Sequence, residues 1–368
     1  MMKVIIEDNL EALRKMESES VDFIYTDPPY NTRHSLSYMD NNNNWNLFMK
    51  ERLELARNIM KKGAIICISI DDNELVSLLN ICQDIFGKKN YLGTFITRQS
   101  QRSCAKFINI VHEYVVVFAK NKRYTEPFYI KRMEIPEDRK MIQDIISKVK
   151  GSKKVLRQLI RKYATERDIK WILNYSNIDE QGRIFSAKDL TTTGEPAPLD
   201  LSETGIKVRP LKTRRYVSKE LILDLWKREK LFNRSGRLYE KLYLTESVDN
   251  VPSLLSFWSR QGTNDLKKLG LEDVFDTPKP VALIKYLIRA ACHKDSIILD
   301  FFAGSGTTAQ AVQEINKEDD RHHECILIQN NEKMNPKTKA YRKMLELGYK
   351  EPKISDVLLL RLDKLKSL

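Results

Sequence analysis

Cysteine is scarce and irregularly placed. The 368 residues hold five, Cys67, Cys82, Cys104, Cys292 and Cys325, an odd number with no C-x-x-C pair. That excludes a disulfide framework and a zinc knuckle and fits a reducing compartment. Long apolar runs are missing too: no stretch approaches the roughly 20 apolar residues of a membrane span, so no membrane partner is expected. The opening MMKVIIEDNL sets acids directly behind a short apolar run, which is wrong for a secretory signal. Thirteen Gly and 12 Pro are too few for collagen or low-complexity disorder, and the absence of a fixed-period repeat excludes a solenoid. A globular cytoplasmic protein is left. Its charge is lopsided: 63 Lys and Arg against 50 Asp and Glu give +13, which favours a polyanionic partner.

Hydrophobic spacing places the elements. Lys3 to Ile6 reads as a strand, Leu10, Leu13 and Met16 as one helix face, and Val21 to Thr26 as a strand buried on both sides, as parallel strands are. Trp45 to Met60 has helical periodicity, Gly63 reads as its cap, Ala64 to Ile70 as a third strand, and Asp71 and Asp72 as the start of another helix. His112 to Lys120 adds a strand. After residue 274 the same grammar returns, with a helix over Pro280 to Ala291, strands at Ser296 to Phe301 and Glu324 to Gln329, and a glycine turn into a helix between them. Residues 121–245 differ, with 29 Lys and Arg against 17 Asp and Glu, or +12 of the +13. Met141 to Tyr163 reads there as one basic amphipathic helix, Thr191 to Pro198 as a turn-rich loop and Lys219 to Lys230 as a helix. The expected fold class is α/β with a mostly parallel sheet built from both chain ends. Its expected parts are a catalytic half at 1–124, an inserted basic α+β region at 125–255, a ligand-binding half at 256–335 and a basic tail or helices at 336–368.

Two motifs carry chemistry. Asp300-Phe301-Phe302-Ala303-Gly304-Ser305-Gly306-Thr307 follows a strand, and its glycines let the backbone turn sharply beside a ligand at a sheet's carboxyl edge. Alone it suits a nucleotide-like ligand, the pyrophosphate loop of an NAD enzyme or a tight structural turn equally. Asp27-Pro28-Pro29-Tyr30, at the end of the second strand, offers a carboxylate, carbonyls without neighbouring N–H donors and an aromatic face. That set suits an exocyclic aromatic amine, whose lone pair is delocalised until acceptors hold its two hydrogens and draw the nitrogen toward tetrahedral geometry. Asp27 and the Pro28 carbonyl can accept those hydrogens, and Tyr30 can stack on a base taken out of its duplex.

Together the two motifs resemble those of S-adenosylmethionine-dependent amino-methyltransferases of DNA, in the order of the permuted beta group. The likeness extends to Trp45 with Arg52, Ile68 to Glu74, Ile85-Phe86-Gly87, His112-Glu113-Tyr114 and Phe275 to Pro280. These are similar to the modification subunits of type III restriction-modification systems and to solitary relatives. The resemblance implies a Rossmann-like sheet and S-adenosyl-L-methionine as cofactor, with Asp300 to Thr307 cradling its methionine moiety. It further implies that Thr277, Pro278 and Lys279 close the pocket and that Asp8 bonds the cofactor adenine. Gln329 stands where relatives often carry an acid for the ribose hydroxyls. The resemblance also implies site-specific methylation of adenine N6 in duplex DNA gripped by the insertion, a nucleoid-associated location, and room for a homodimer and for a restriction subunit in another chain.

Within the insertion, Arg209, Lys212, Arg214 and Arg215 crowd one loop-like stretch and are the candidates for DNA contact. His322-His323 with Cys325 lacks a second ligand pair, so no metal is expected. No Pro-Cys dipeptide occurs, which removes the nucleophile that attack on cytosine carbon 5 requires. The competing readings are cytosine-N4 or RNA adenine methylation, a non-catalytic recognition subunit, and a dinucleotide oxidoreductase.

Overall fold

A computed structural model describes residues 2–32, 34–98 and 107–367; Cys104 lies outside them. The chain divides into two compact units, Met1–Tyr129 with Asn250–Leu368, and Ile130–Asp249.

The first unit is an eight-stranded sheet with helices on both faces. In chain order its strands are β1 (Met2–Ile6), β2 (Val21–Thr26), β3 (Met60–Ile70), β4 (Tyr91–Arg98), β5 (His112–Ala119), β6 (Leu254–Trp258), β7 (Ile297–Asp300) and β8 (Glu324–Gln329). Their order across the sheet is β1-β8-β7-β2-β3-β5-β4-β6. All neighbours pair in parallel except those of β5, which runs antiparallel to β3 and β4. The period-two alternation of strand side chains splits the core into two layers. Phe23, Tyr25, Ile65, Cys67, Val115 and Val117 pack against helices Val281–Ala291, Thr307–Asp319 and Ile354–Lys366. Ile24, Ile66, Ile68, Val116 and Phe118 pack on the other face against Asn9–Arg14, Trp45–Ile59 and Leu75–Phe86. The chain therefore leaves adjacent strands β2 and β7 toward opposite faces. That divergence opens a crevice at their carboxyl ends, where open α/β sheets bind ligands.

Three sequence expectations change. Gly63 is not a helix cap: the helix stops at Ile59 and β3 has begun by Met60. Glycine is needed inside the strand because a Cβ would stand 2.5 Å from the Tyr124 carbonyl oxygen. β4 and β6 were not expected, and β6 extends the sheet by pairing in parallel with β4. In the second unit the single helix expected over Met141 to Tyr163 is two, Pro136–Val149 and Lys153–Glu166, because Lys150 (φ 39°) and Gly151 (φ 78°) turn left-handed between them. That unit also holds an antiparallel sheet of Leu231–Arg234, Arg237–Tyr243, Ile184–Asp189 and Asn177–Ile178 and the helix Lys219–Lys227. No helix among the described residues is long and apolar enough to cross a membrane.

Candidate active site

One pocket of about 1010 Å³, its open mouth included, occupies the crevice. Of the residues expected there, Asp8, Asp27, Pro29, Thr277, Pro278, Lys279, Asp300, Phe301, Phe302, Ala303, Gly304, Ser305, Thr307 and Gln329 line it; Pro28, Tyr30 and Gly306 do not. Gly306 lies beneath the loop with φ 80°, where a Cβ would come 2.7 Å from Leu358 Cδ1.

The loop after β7 is held by its own polar atoms. Gly304, at φ 52°, donates its N–H to Gln329 Oε1 at 2.8 Å, and Gln329 Nε2 donates to Asn330 Oδ1 at 2.8 Å. The side chain expected to face ribose hydroxyls is thus engaged in supporting the glycine turn, while the nearby carboxylate Glu332 lines the same pocket. Asp300 is 2% exposed. It accepts from Thr308 Oγ1 at 2.6 Å and from Phe302 N–H at 3.1 Å. Among the described residues no cation pairs with it. Burial pushes its carboxyl up to about 7, opposed by those two hydrogen bonds.

The loop after β2 is pinned from outside. Trp45 Nε1 donates to the Pro29 carbonyl at 2.7 Å, and Asp40 accepts the N–H groups of Tyr30 and Thr32 at 2.9 and 2.7 Å. Asp27 Oδ1 accepts from the Tyr30 hydroxyl at 2.9 Å and stands 3.3 Å from Lys279 Nζ. Lys279 also donates to the Tyr30 hydroxyl at 2.7 Å and to Glu113 Oε2 at 2.9 Å. Its ammonium lies 4.7 Å from the Tyr30 ring centroid. The residue expected to close the cofactor pocket therefore neutralises the Asp27 carboxylate and sits at the hydroxyl edge of the ring expected to stack on a base. Burial raises the Asp27 carboxyl above its ordinary range, with Lys279 opposing and Glu113 reinforcing. For Lys279 burial works downward, but Asp27 and Glu113 outweigh it and leave the ammonium raised.

Asp8 caps the helix Asn9–Arg14 by accepting from Leu10 N–H at 2.9 Å, and its other oxygen lies 3.4 Å from Arg52 Nη2. Aromatic walls complete the pocket: Tyr38 stacks on Phe275 at 5.5 Å, and Phe48 tilts against Phe302 at 5.8 Å. Sequence reasoning singled out neither Tyr38, Phe48 nor Glu332; Phe275 and Glu113 fall in stretches that resemble the family, Phe275 to Pro280 and His112-Glu113-Tyr114, but receive no role of their own there. Arg209, Lys212, Arg214 and Arg215 fall in the second unit and are all exposed. His323 is buried, accepts from Ser296 N–H at 3.2 Å through Nδ1, and is pushed down to about 4, first by burial. Among the described residues no group of three or more His, Cys, Asp or Glu side chains could hold a metal.

A family profile described as DNA methylase matches residues 21–340, and the chain belongs to that family. It is similar to the type II methyltransferase M.KpnI of Klebsiella pneumoniae, 29% identical over 98% of this chain and 86% of that protein. It is also similar to the type III restriction-modification enzyme EcoP15I Mod subunit of Escherichia coli, 28% identical over 91% of this chain. The match covers only 59% of that Mod subunit's length. Among solved structures, the cytosine-N4-specific PvuII DNA methyltransferase matches over 99% of this chain and 93% of its own, with 11% identity and a TM-score of 0.46. The chain is a DNA methyltransferase, and S-adenosylmethionine is its methyl donor. The pocket fits that group: a buried carboxylate without a cation, Asp300, meets a ligand that carries an ammonium and a sulfonium, and the aromatic walls suit its adenine.

Proposed function

We propose that the protein methylates adenine N6 in duplex DNA at a specific site. The observation that carries this is the adjacency of β2 and β7, which brings the Asp27 carboxylate and the Asp300 to Thr307 loop onto one pocket. When bound, S-adenosylmethionine supplies an electrophilic methyl group. The protein supplies positioning. Asp27 and the Pro28 carbonyl, to which no described residue donates, accept the two hydrogens of the target amine. Nucleophilicity returns to the nitrogen, and a proton leaves as the C–N bond forms. Asp27 Oδ1 is shared with Tyr30 and Lys279 in the resting site, so the incoming amine displaces at least one of them, and Tyr30 is then placed to stack on the flipped base. An aspartate at position 27, where N4-cytosine enzymes more often carry serine, favours adenine.

Asp8 is assigned to the cofactor adenine, Thr277, Pro278 and Lys279 to the pocket wall, and Gln329 with Glu332 to the ribose side. The second unit is assigned target recognition, with Arg209, Lys212, Arg214 and Arg215 on the DNA. In this reading the protein works in the cytoplasm at the nucleoid. A second copy of the chain and a restriction subunit encoded elsewhere are its further proposed partners.

The test is to incubate purified protein with methyl-labelled S-adenosylmethionine and unmethylated genomic DNA, digest the DNA and identify the labelled nucleoside. Label in N6-methyl-2′-deoxyadenosine is expected, and Asp27→Ala should lower it by on the order of 10²–10³-fold, the scale for a lost charge-stabilising contact, while DNA binding persists. Label in N4-methylcytosine would overturn the base assignment, and label only in added RNA would overturn the substrate.

A further inference from the structure

The C-terminal helix Ile354–Lys366 lies beyond the family match, which ends at residue 340, yet it delivers a buried cation to the cofactor loop. Arg361 is 0% exposed. Its Nη1 donates to Ser305 Oγ at 3.1 Å, to the Ser305 carbonyl at 3.3 Å and to Thr307 Oγ1 at 3.0 Å, and its Nε and Nη2 donate to Gln310 Oε1 at 3.1 and 2.8 Å. No carboxylate pairs with it among the described residues. An isolated buried charge is costly, and burial lowers this guanidinium to about 10, which still leaves it charged at neutral pH.

The geometry has a consequence for the hydroxyls. A guanidinium only donates, so Ser305 Oγ and Thr307 Oγ1 are acceptors toward Arg361 and must direct their own hydrogens elsewhere. Neither hydrogen has an acceptor among the described residues, and both residues line the pocket. Ser305 lies just before, and Thr307 opens, the 13-residue helix Thr307–Asp319, whose N-terminus has no side-chain cap and carries positive partial charge. Two prepared hydroxyl donors, a helix N-terminus and, behind them, a buried cation that Asp265 and Glu314 offset only from a distance form a site for an anion. Asp300, on the same loop, is the complementary negative pole.

We propose that Arg361 is a positioning residue for the loop that the family resemblance already assigns to the cofactor's methionine end: by donating to Ser305 and Thr307 it turns their hydroxyl hydrogens toward the ligand carboxylate, with Asp300 opposite for the ammonium. The inference rests on the cofactor assignment above.

Calorimetric titration of the full chain with S-adenosylhomocysteine, and with 5′-methylthioadenosine, which lacks the amino-acid end, tests it without turnover. Arg361→Met should weaken S-adenosylhomocysteine at least 10-fold and leave 5′-methylthioadenosine within 2-fold, and Arg361→Lys should recover part of the loss. Equal weakening of both ligands would reduce Arg361 to a strut and overturn the proposal, as would no weakening of either. Should Arg361→Met fail to fold, Ser305→Ala combined with Thr307→Val carries the same test, with the same selective loss expected and an equal loss overturning it. Wild-type protein that binds both ligands with one affinity would overturn carboxylate recognition while leaving the methyltransferase reading intact. Wild type that binds neither would sink the cofactor assignment itself.

Discussion

Asp300 is the residue whose environment is most at odds with its chemistry in the ligand-free pocket. Its carboxyl is pushed up to about 7 because it is buried and has two hydrogen bonds but no counter-charge. A carboxyl raised in the folded state favours folding below its ordinary range, near pH 4, and loses that contribution as pH rises through about 7. A bound ammonium reverses the sign locally, since it pairs with the ionised form. The rise in melting temperature produced by saturating S-adenosylhomocysteine should therefore be larger at pH 8 than at pH 6, and Asp300→Asn should flatten the difference. Thermal shifts at the two pH values decide it: an equal shift in the wild type would mean that Asp300 does not exchange its proton for the ligand. Burial raises the Asp27 carboxyl too, but there Lys279 and Tyr30 contact the carboxylate directly.

At the scale of elements, the helix Arg260–Lys268 sets the position of the Thr277 to Lys279 segment by direct contact. A Cβ on Gly262 would stand 1.9 Å from the Pro278 carbonyl oxygen and 2.9 Å from the Lys279 carbonyl carbon, and backbone cannot swing away as a side chain can. Gly262→Ala should cost about 1–3 kcal/mol or more, the range for overpacking, and should weaken cofactor binding because Lys279 moves with the strained segment. A melting curve and a cofactor titration matching the wild type would show that helix and segment part freely. Elements of this kind were unevenly legible. Val21–Thr26 and Glu324–Gln329 could be read with their bounds because each is a short, mostly apolar and β-branched or aromatic stretch set off by polar residues, as buried parallel strands are. Tyr91–Arg98 could not: it is half-exposed and interrupted by Gly93, and it is held by pairing with strands that follow it in the chain. The break at Lys150 and Gly151 was hidden because an isolated glycine in a helical pattern is ordinarily tolerated. In the site, the Asp27 and Asp300 loops stood out because each is a compact motif on a strand end. The contact of Lys279 with Asp27 and Glu113, and of Arg361 with Ser305, depends on sheet order and on helix packing, which no local spacing encodes.

Over the whole molecule, charge divides more sharply than secondary structure. The unit Ile130–Asp249 holds 27 Lys and Arg against 18 Asp and Glu, +9 of the chain's +13. Much of that basic surface is already spent inside the unit: Lys188 lies 3.2 Å from Glu240, Arg237 2.6 Å from Asp189, and Lys219 2.8 Å from Glu203. Arg209, Lys212, Arg214 and Arg215 form no ion pair among the described residues, and Arg214 only donates to the Thr191 carbonyl at 2.9 Å. An unpaired cation can neutralise a phosphate and release its counterion, whereas a paired one must first give up its partner. Lys212→Ala should therefore weaken DNA binding about equally across sequences and reduce the slope of log affinity against log salt by about 1. Lys188→Ala, which removes a paired cation of the same unit, should leave the slope nearly unchanged. Fluorescence anisotropy with labelled duplexes over a salt series separates the two. Equal slopes for Lys212→Ala and wild type would move the phosphate contacts off this stretch. At low salt and saturating DNA, Lys212→Ala should still methylate at the wild-type rate, because every group assigned to the amine and to the cofactor belongs to the other unit.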